Sequence, residues 1–172
     1  MAVLPIVTAP AKVLATPARP VADHEFGPAL AKHLSDMAET MYAAPGVGLA
    51  APQVGDGRRI VVIDPGEEGS TLTCMVNPAI IDRSPETIVS PETCLSVPDL
   101  EVQVTRNQRV QVQWQTAQGE PNQAWFQDFE AVVVQHELDH LAGTVLLDLV
   151  STFRRKRYLA KRKKAARASA TV

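Results

Sequence analysis

Cysteine is scarce: Cys74 and Cys94 are the two in 172 residues. That excludes a disulfide scaffold, which a chain of this length does not need, and a reducing compartment is expected. No apolar run approaches the roughly eighteen residues of a membrane span, so no membrane role is expected. The apolar stretch 2–7 has no basic residue before it and meets Pro10 too early for a secretory signal. The first 22 residues lack acids and are rich in alanine, yet one Lys, one Arg and four Pro make a poor organellar import sequence. The chain has neither an internal repeat nor a linker long enough to divide it.

Acids are also missing from the C-terminal end. All 19 lie between Asp23 and Asp148, whereas nine of the 17 basic residues fall between Arg154 and Arg167. Residues 1–153 therefore carry a net −11 and residues 154–172 a net +9. The formal total of −2 argues against a general nucleic-acid binder, DNA included, but it averages an acidic body (1–150) with a basic tail (151–172). Such a split gives the tail a partner of its own.

With 45% apolar and 21% charged residues the body can build one real core. Four prolines keep residues 1–22 extended with turns. Leu30, Leu34, Met37 and Met41 recur every three or four residues, predicting an amphipathic helix within 25–44, with Asp23 as its cap and a start that Gly27 and Pro28 can delay. Pro45 and Gly46 stop it. A segment dense in small residues follows (46–55), then a β-branched run, 60–63. Segments 72–82, 86–95, 100–106, 109–115 and 123–127 read as short strands, with one wet face on 111–115. Residues 129–141 carry apolar groups all round and predict a buried helix ended at Gly143. Helix, strands, then a central helix: the order argues for an α+β fold.

The strongest chemical signal is His136-Glu137-Leu138-Asp139-His140. On a helix, positions four apart share a face, so His136 and His140 can aim two ring nitrogens at one metal ion. Glu137 beside them has the placement of a general base. The bland alternative, two polar residues on an exposed stripe, conflicts with the apolar surroundings, because buried His and Glu need strong partners. A catalytic metal usually takes three protein ligands. Downstream of His140 only Asp148 could serve; upstream Cys94 offers a thiolate. Cys74, amid apolar neighbours, is assigned to the core.

Three segments together resemble the signature of the peptide deformylase family: Gly46-Val47-Gly48-Leu49-Ala50-Ala51-Pro52-Gln53, Glu92-Thr93-Cys94-Leu95-Ser96 and Gln135-His136-Glu137-Leu138-Asp139-His140. Their order and intervals match, and the likeness covers roughly 3–150. The resemblance implies a fold of short, mostly antiparallel strands in small sheets around a central buried helix, followed by a C-terminal helix. It implies an enzyme that hydrolyses the formyl group from the N-terminal formyl-methionine of new polypeptides and releases formate. Cys94, His136 and His140 would hold one divalent metal, Fe(II) by resemblance, with Zn, Ni or Co also suited to the set. Glu137 would move the proton. Gln53 and the backbone N–H of Leu95 would hold the oxyanion. Val47 and Gly48 would present backbone groups to an extended peptide bound like an added strand. Val133, with His136, would line the methionine pocket, and Thr93 would stand at the cleft edge. A cytoplasmic monomer is expected.

Two positions depart from the family pattern. Thr93 stands where glycine is usual, and Glu101 where many members carry arginine near the substrate path; both are expected to shift substrate preference or efficiency while sparing the metal site. Two other readings compete. A zinc metallopeptidase built on the same helix motif would find its third ligand after the motif, and Cys94→Asp separates it from the deformylase reading. A protein of this fold that has lost the chemistry would act by binding ribosome or peptide, and turnover of a formyl-Met peptide decides against it. His24, His33 and Glu39 receive no role, and Arg58 and Arg59 read as solvated. In the tail, Ser151 caps a helix from Phe153 to Arg167, with Phe153 and Tyr158 as apolar anchors and fraying from Ala168 to Val172. That basic helix is either a solubilising face or, as the resemblance implies, a dock on the ribosome.

Overall fold

A computed structural model of the chain describes residues 2–66, 69 and 71–169. Helix α1 spans Pro28–Ala43, because Pro28 occupies its first turn and Gly27 caps it with φ 122°. Asp23 is therefore not the cap of α1; it opens a separate 3₁₀ turn, Asp23–Glu25. Leu30, Leu34, Met37 and Met41 face inward and are buried. Truncating one of them, such as Met37→Ala, removes a side chain typically worth about 2–5 kcal/mol.

Among the described residues seven strands follow, all paired antiparallel. One sheet has the order β1 (Gly48–Ala50), β2 (Ile60–Ile63), β3 (Thr73–Arg83), β6 (Arg109–Gln115), β7 (Pro121–Gln127); β4 (Thr87–Cys94) and β5 (Val97–Asn107) form a separate two-stranded hairpin. The apolar run 60–63 is buried on both faces for a period-two reason. Ile60 and Val62 pack toward the cluster of α1, while Val61 and Ile63 pack toward that of α2 (Asp128–Leu141). On β6 the alternation does leave one wet face: Val110, Val112 and Trp114 are buried and the glutamines between them are not.

Helix α2 is thus the centre of the molecule, with Val133, Val134 and Leu141 against the sheet. It ends at Gly143, whose φ is 76° and where an added Cβ would lie 3.0 Å from Pro17 N and Thr16 C, so only glycine lets the N-terminal segment pass. That segment runs extended with one 3₁₀ turn, Lys12–Ala15, and is tied down by Val7 N–H to Gln53 O (2.8 Å) and Ala9 N–H to Ser96 O (2.8 Å). A third apolar cluster joins Leu14, Val97, Leu100, Val102, Leu146, Leu147 and Tyr158, closing the β4–β5 hairpin.

Helix α3 spans Thr152–Ser169. Ser151 caps it as expected, its Oγ accepting from Arg154 N–H at 3.3 Å. Of the two expected anchors only Tyr158 is buried; Phe153 is 76% exposed. Five residues put the two side chains about 140° apart around a helix, so both cannot face the body. The expected fraying includes 170–172, which lie outside the described residues. No described helix is long and apolar enough to cross a membrane.

Candidate active site

A cleft of ≈ 690 Å³ opens between three segments: 45–48 with the end of β1's approach, 91–101 from the β4–β5 hairpin, and the face of α2 that carries Phe129, Val133, His136 and Glu137. The residues singled out from sequence meet here. Val47, Gly48, Gln53, Thr93, Cys94, Leu95, Val133, His136 and Glu137 all line it. His140, 1% exposed, does not line the cleft but lies 3.3 Å from the Sγ of Cys94, which does.

Among the described residues, Cys94, His136 and His140 form a group whose donor atoms all lie within 4.8 Å of one another. Cys94 Sγ is 3.3 Å from His140 Nε2, and the two imidazoles meet edge to face with centroids 5.1 Å apart. One thiol sulfur and two imidazoles suit a divalent transition ion, and donor atoms this close together fit such a group. Asp148 is not part of it: its Oδ2 accepts from Val145 N–H at 3.0 Å and its Oδ1 pairs with Arg155 at 2.7 Å.

Electrostatics differ sharply among these groups. Burial pulls His140 down to about 3, so its ring is neutral and ready to donate a lone pair. Burial opposes a charge on His136 too, but hydrogen bonds to Cys94 and Glu92 outweigh it and raise that ring to about 10. Burial pushes Glu137 up to about 7, and its Oε2 has no hydrogen-bond partner among the described residues. A buried carboxyl left unpaired beside metal donors is costly, and positions like this are where proton-moving groups are found. Gln53 is oriented by its own turn: Oε1 accepts from Ala50 N–H at 2.8 Å, which turns Nε2 toward Cys94 Sγ at 3.7 Å.

Three residues that sequence reasoning left without a role organise the site. Glu92 Oε2 holds His136 Nδ1 at 2.8 Å. Arg106 grips the Glu92 carboxylate at 2.8 and 2.9 Å and reaches Asp139 Oδ2 at 2.7 Å. Burial would raise the Glu92 carboxyl, but Arg106 and His136 hold it below the usual range. A carboxylate on the far nitrogen of a ligand imidazole fixes the tautomer and aims the ring. Glu92 had a readable signal, since it stands two residues before Cys94 and so shares its face of β4. Arg106 had none, being 14 residues from Glu92 and 33 from Asp139.

The backbone of β1 is equally directional. Strand β1 is the edge of its sheet. Asp64 N–H bonds to Val47 O at 2.9 Å, and Gly48 pairs with Ile63. By the alternation of an antiparallel ladder, Val47 directs its polar groups to β2 and Gly48 directs its own outward to the cleft. Of the two residues expected to present backbone to a peptide, Gly48 is the one so placed.

A central helix that brings a Cys/His/His group able to hold a metal ion and a buried carboxyl into one cleft has the make-up of a metal-dependent hydrolase. The chain belongs to the polypeptide deformylase family, whose model matches residues 3–156. It is 42% identical over 167 residues to the peptide deformylase of Desulfotalea psychrophila, covering 95% of this chain and 97% of that one. It is also 42% identical over 164 residues to that of Chromobacterium violaceum, covering 95% and 96%. The crystal structure of peptide deformylase from Ehrlichia chaffeensis superposes with a TM-score of 0.90 at 37% identity, over 98% of this chain and 99% of that one. A structure of the same organism's enzyme in complex with actinonin gives 0.89 at 39%, over 96% and 98%.

Proposed function

We infer that this chain removes the formyl group from the N-terminal formyl-methionine of newly made polypeptides by hydrolysis, releasing formate. The observation that carries the reading is the coincidence, in one cleft, of the Cys94/His136/His140 donors, the unpartnered Glu137 carboxyl and the outward-facing backbone of Gly48. Cys94, His136 and His140 hold one divalent ion; Fe(II) is the expected one, and Zn, Ni or Co suit the same donors. When bound, the metal supplies Lewis acidity, polarising the formyl carbonyl and acidifying water.

The chain's own groups do the rest. Glu137 takes the proton of the attacking water and delivers it to the departing amine nitrogen, a transfer commonly worth about 10²–10⁴ in rate. Gln53 Nε2 and the N–H of Leu95 donate to the formyl oxygen as it gains charge. Gly48 binds the peptide backbone as an added strand, and Val47 flanks it. Val133 and His136 line the place of the methionine side chain, and Thr93 bounds the cleft at its edge. Helix α3, with nine basic residues and no acid, docks the enzyme on ribosomal RNA as a cytoplasmic monomer.

Anaerobic purification, metal analysis and an assay on formyl-Met-Ala-Ser test the reading. One metal per chain with formate release is expected. Absence of turnover with Fe(II), Zn, Ni and Co in turn would overturn it.

A further inference from the structure

The cleft is one-sided in charge. Its lining contains Glu92, Asp99, Glu101 and Glu137, and neither lysine nor arginine. Glu92 is bonded to Arg106 and His136, and Glu137 lies buried at the base. Asp99 and Glu101 are left on the outer wall. Asp99 has a distant companion, Arg162 at 3.9 Å, and its side chain is 67% exposed. For the carboxylate of Glu101 no ion pair or hydrogen bond is found among the described residues. Its cross-strand partner is Thr93, and its same-face neighbours along β5 are Asp99 and Gln103. Arg154 of α3 bonds through Nη2 to the Glu101 carbonyl oxygen at 2.5 Å and not to the carboxylate.

That a ligand comes here does not depend on these two acids. The same cleft holds Glu137, 4% exposed with Oε2 unpartnered, and the open edge of β1. A peptide placed on Gly48 with its formyl end toward Glu137 and its methionine toward Val133 has its following residues in the same cleft, whose lining includes the wall 97–101. The next side chains therefore pass the two exposed carboxylates.

We propose that Glu101, seconded by Asp99, makes this enzyme select formyl-methionyl chains that carry a lysine or arginine in the second or third position. The inference rests on the deformylase reading and names its favoured substrates. Thr93 takes part by default: a short uncharged side chain opposite Glu101 neither neutralises the carboxylate nor blocks it. The attraction acts at a wet rim, so it is modest and screened by salt.

The test compares kcat/KM of the metal-loaded protein on formyl-Met-Lys-Ala, formyl-Met-Ala-Lys and the matching glutamate peptides. It uses wild type, Glu101→Gln, Glu101→Arg and Glu101→Asp at low and moderate ionic strength. Wild type is expected to favour lysine over glutamate by about two- to fivefold at one position or both, through KM, with the ratio shrinking as salt rises. Glu101→Gln lowers that ratio, Glu101→Arg inverts it and Glu101→Asp keeps it. Equal ratios in wild type and Glu101→Gln at both positions overturn the inference while leaving the deformylase reading intact. No turnover of any peptide removes the deformylase reading, and this inference with it.

Discussion

Gly48 lies directly against Glu137. A Cβ added to Gly48 would stand 2.9 Å from both Cγ and Cδ of that glutamate and closer still to Oε1. The backbone here has no left-handed strain, so the requirement for glycine is one of approach: the strand edge and the base share a single van der Waals layer. Gly48→Ala should push the Glu137 carboxyl out of position without touching the metal donors. A kcat lower by about a hundredfold, with metal content unchanged, is expected from a displacement on the ångström scale. Undiminished kcat would mean that Glu137 has room to move and still work.

In the role proposed for it, Glu137 can accept a proton only when its carboxyl is ionised. Burial holds its pKa at about 7 in the metal-free protein, and a cation among the neighbouring donors pulls it lower. The rate kcat/KM should therefore rise with pH along a limb whose midpoint is at or below 7. In Glu137→Gln activity should drop by about 10²–10⁴ and the limb should vanish, while metal remains bound. A limb that persists in the glutamine variant assigns the titration to another group.

The Glu92–Arg106–Asp139 chain aims His136, and its loss should appear first as weaker metal binding. Glu92→Gln keeps the shape but not the charge, and chelator competition should show metal affinity down by about 10–100-fold. Arg106→Ala should also destabilise the fold by about 3–5 kcal/mol, measured by denaturant unfolding, because it leaves a 4%-exposed Glu92 carboxylate without its guanidinium partner. Wild-type metal affinity in Glu92→Gln would show that packing alone orients His136.

Metal and proton compete for His136. In the metal-free protein Cys94 and Glu92 raise its ring to about 10 against the opposing effect of burial, so at neutral pH metal entry displaces a proton from it. The direction follows: affinity rises with pH, by about tenfold per unit for each proton displaced. Uptake titrations of the apo-protein between pH 6 and 8 check this, and a flat profile would contradict it.

Removing α3 is a poor test of ribosome docking, because Tyr158 is buried with Val97 and Leu100 and its hydroxyl bonds Pro98 O at 2.9 Å. Lys156, Lys163 and Lys164 are exposed, and reversing them to glutamate alters charge with little effect on packing. Ribosome affinity of the triple variant should fall at least tenfold, and its dependence on salt should become shallower. Affinity equal to wild type would leave the helix a solubilising face.

How far sequence carried differs from residue to residue. The 60–63 run and the 129–141 helix were readable because burial on every side leaves an unbroken apolar pattern. The donor triad was readable because two of its members sit four apart on that helix and the chain offered few candidates for the third. Arg106 was invisible, since its partners are brought to it by tertiary pairing. Phe153 misled because an aromatic on a basic helix reads as an anchor, whereas only the face shared by Tyr158 and Leu159 reaches the body. Asp23 misled because proline at 28 sets the helix start more firmly than an acidic cap does.

Strand β1 is three residues long and forms the margin of its sheet. An uncovered sheet margin ordinarily invites other chains to pair with it and aggregate. Here the unpaired margin is only three residues, all of them buried, too short to template a lasting ladder. On the proposed reading the same brevity favours turnover: a product held along a few backbone atoms can slide away once its end has been trimmed, leaving the enzyme free for the next nascent chain.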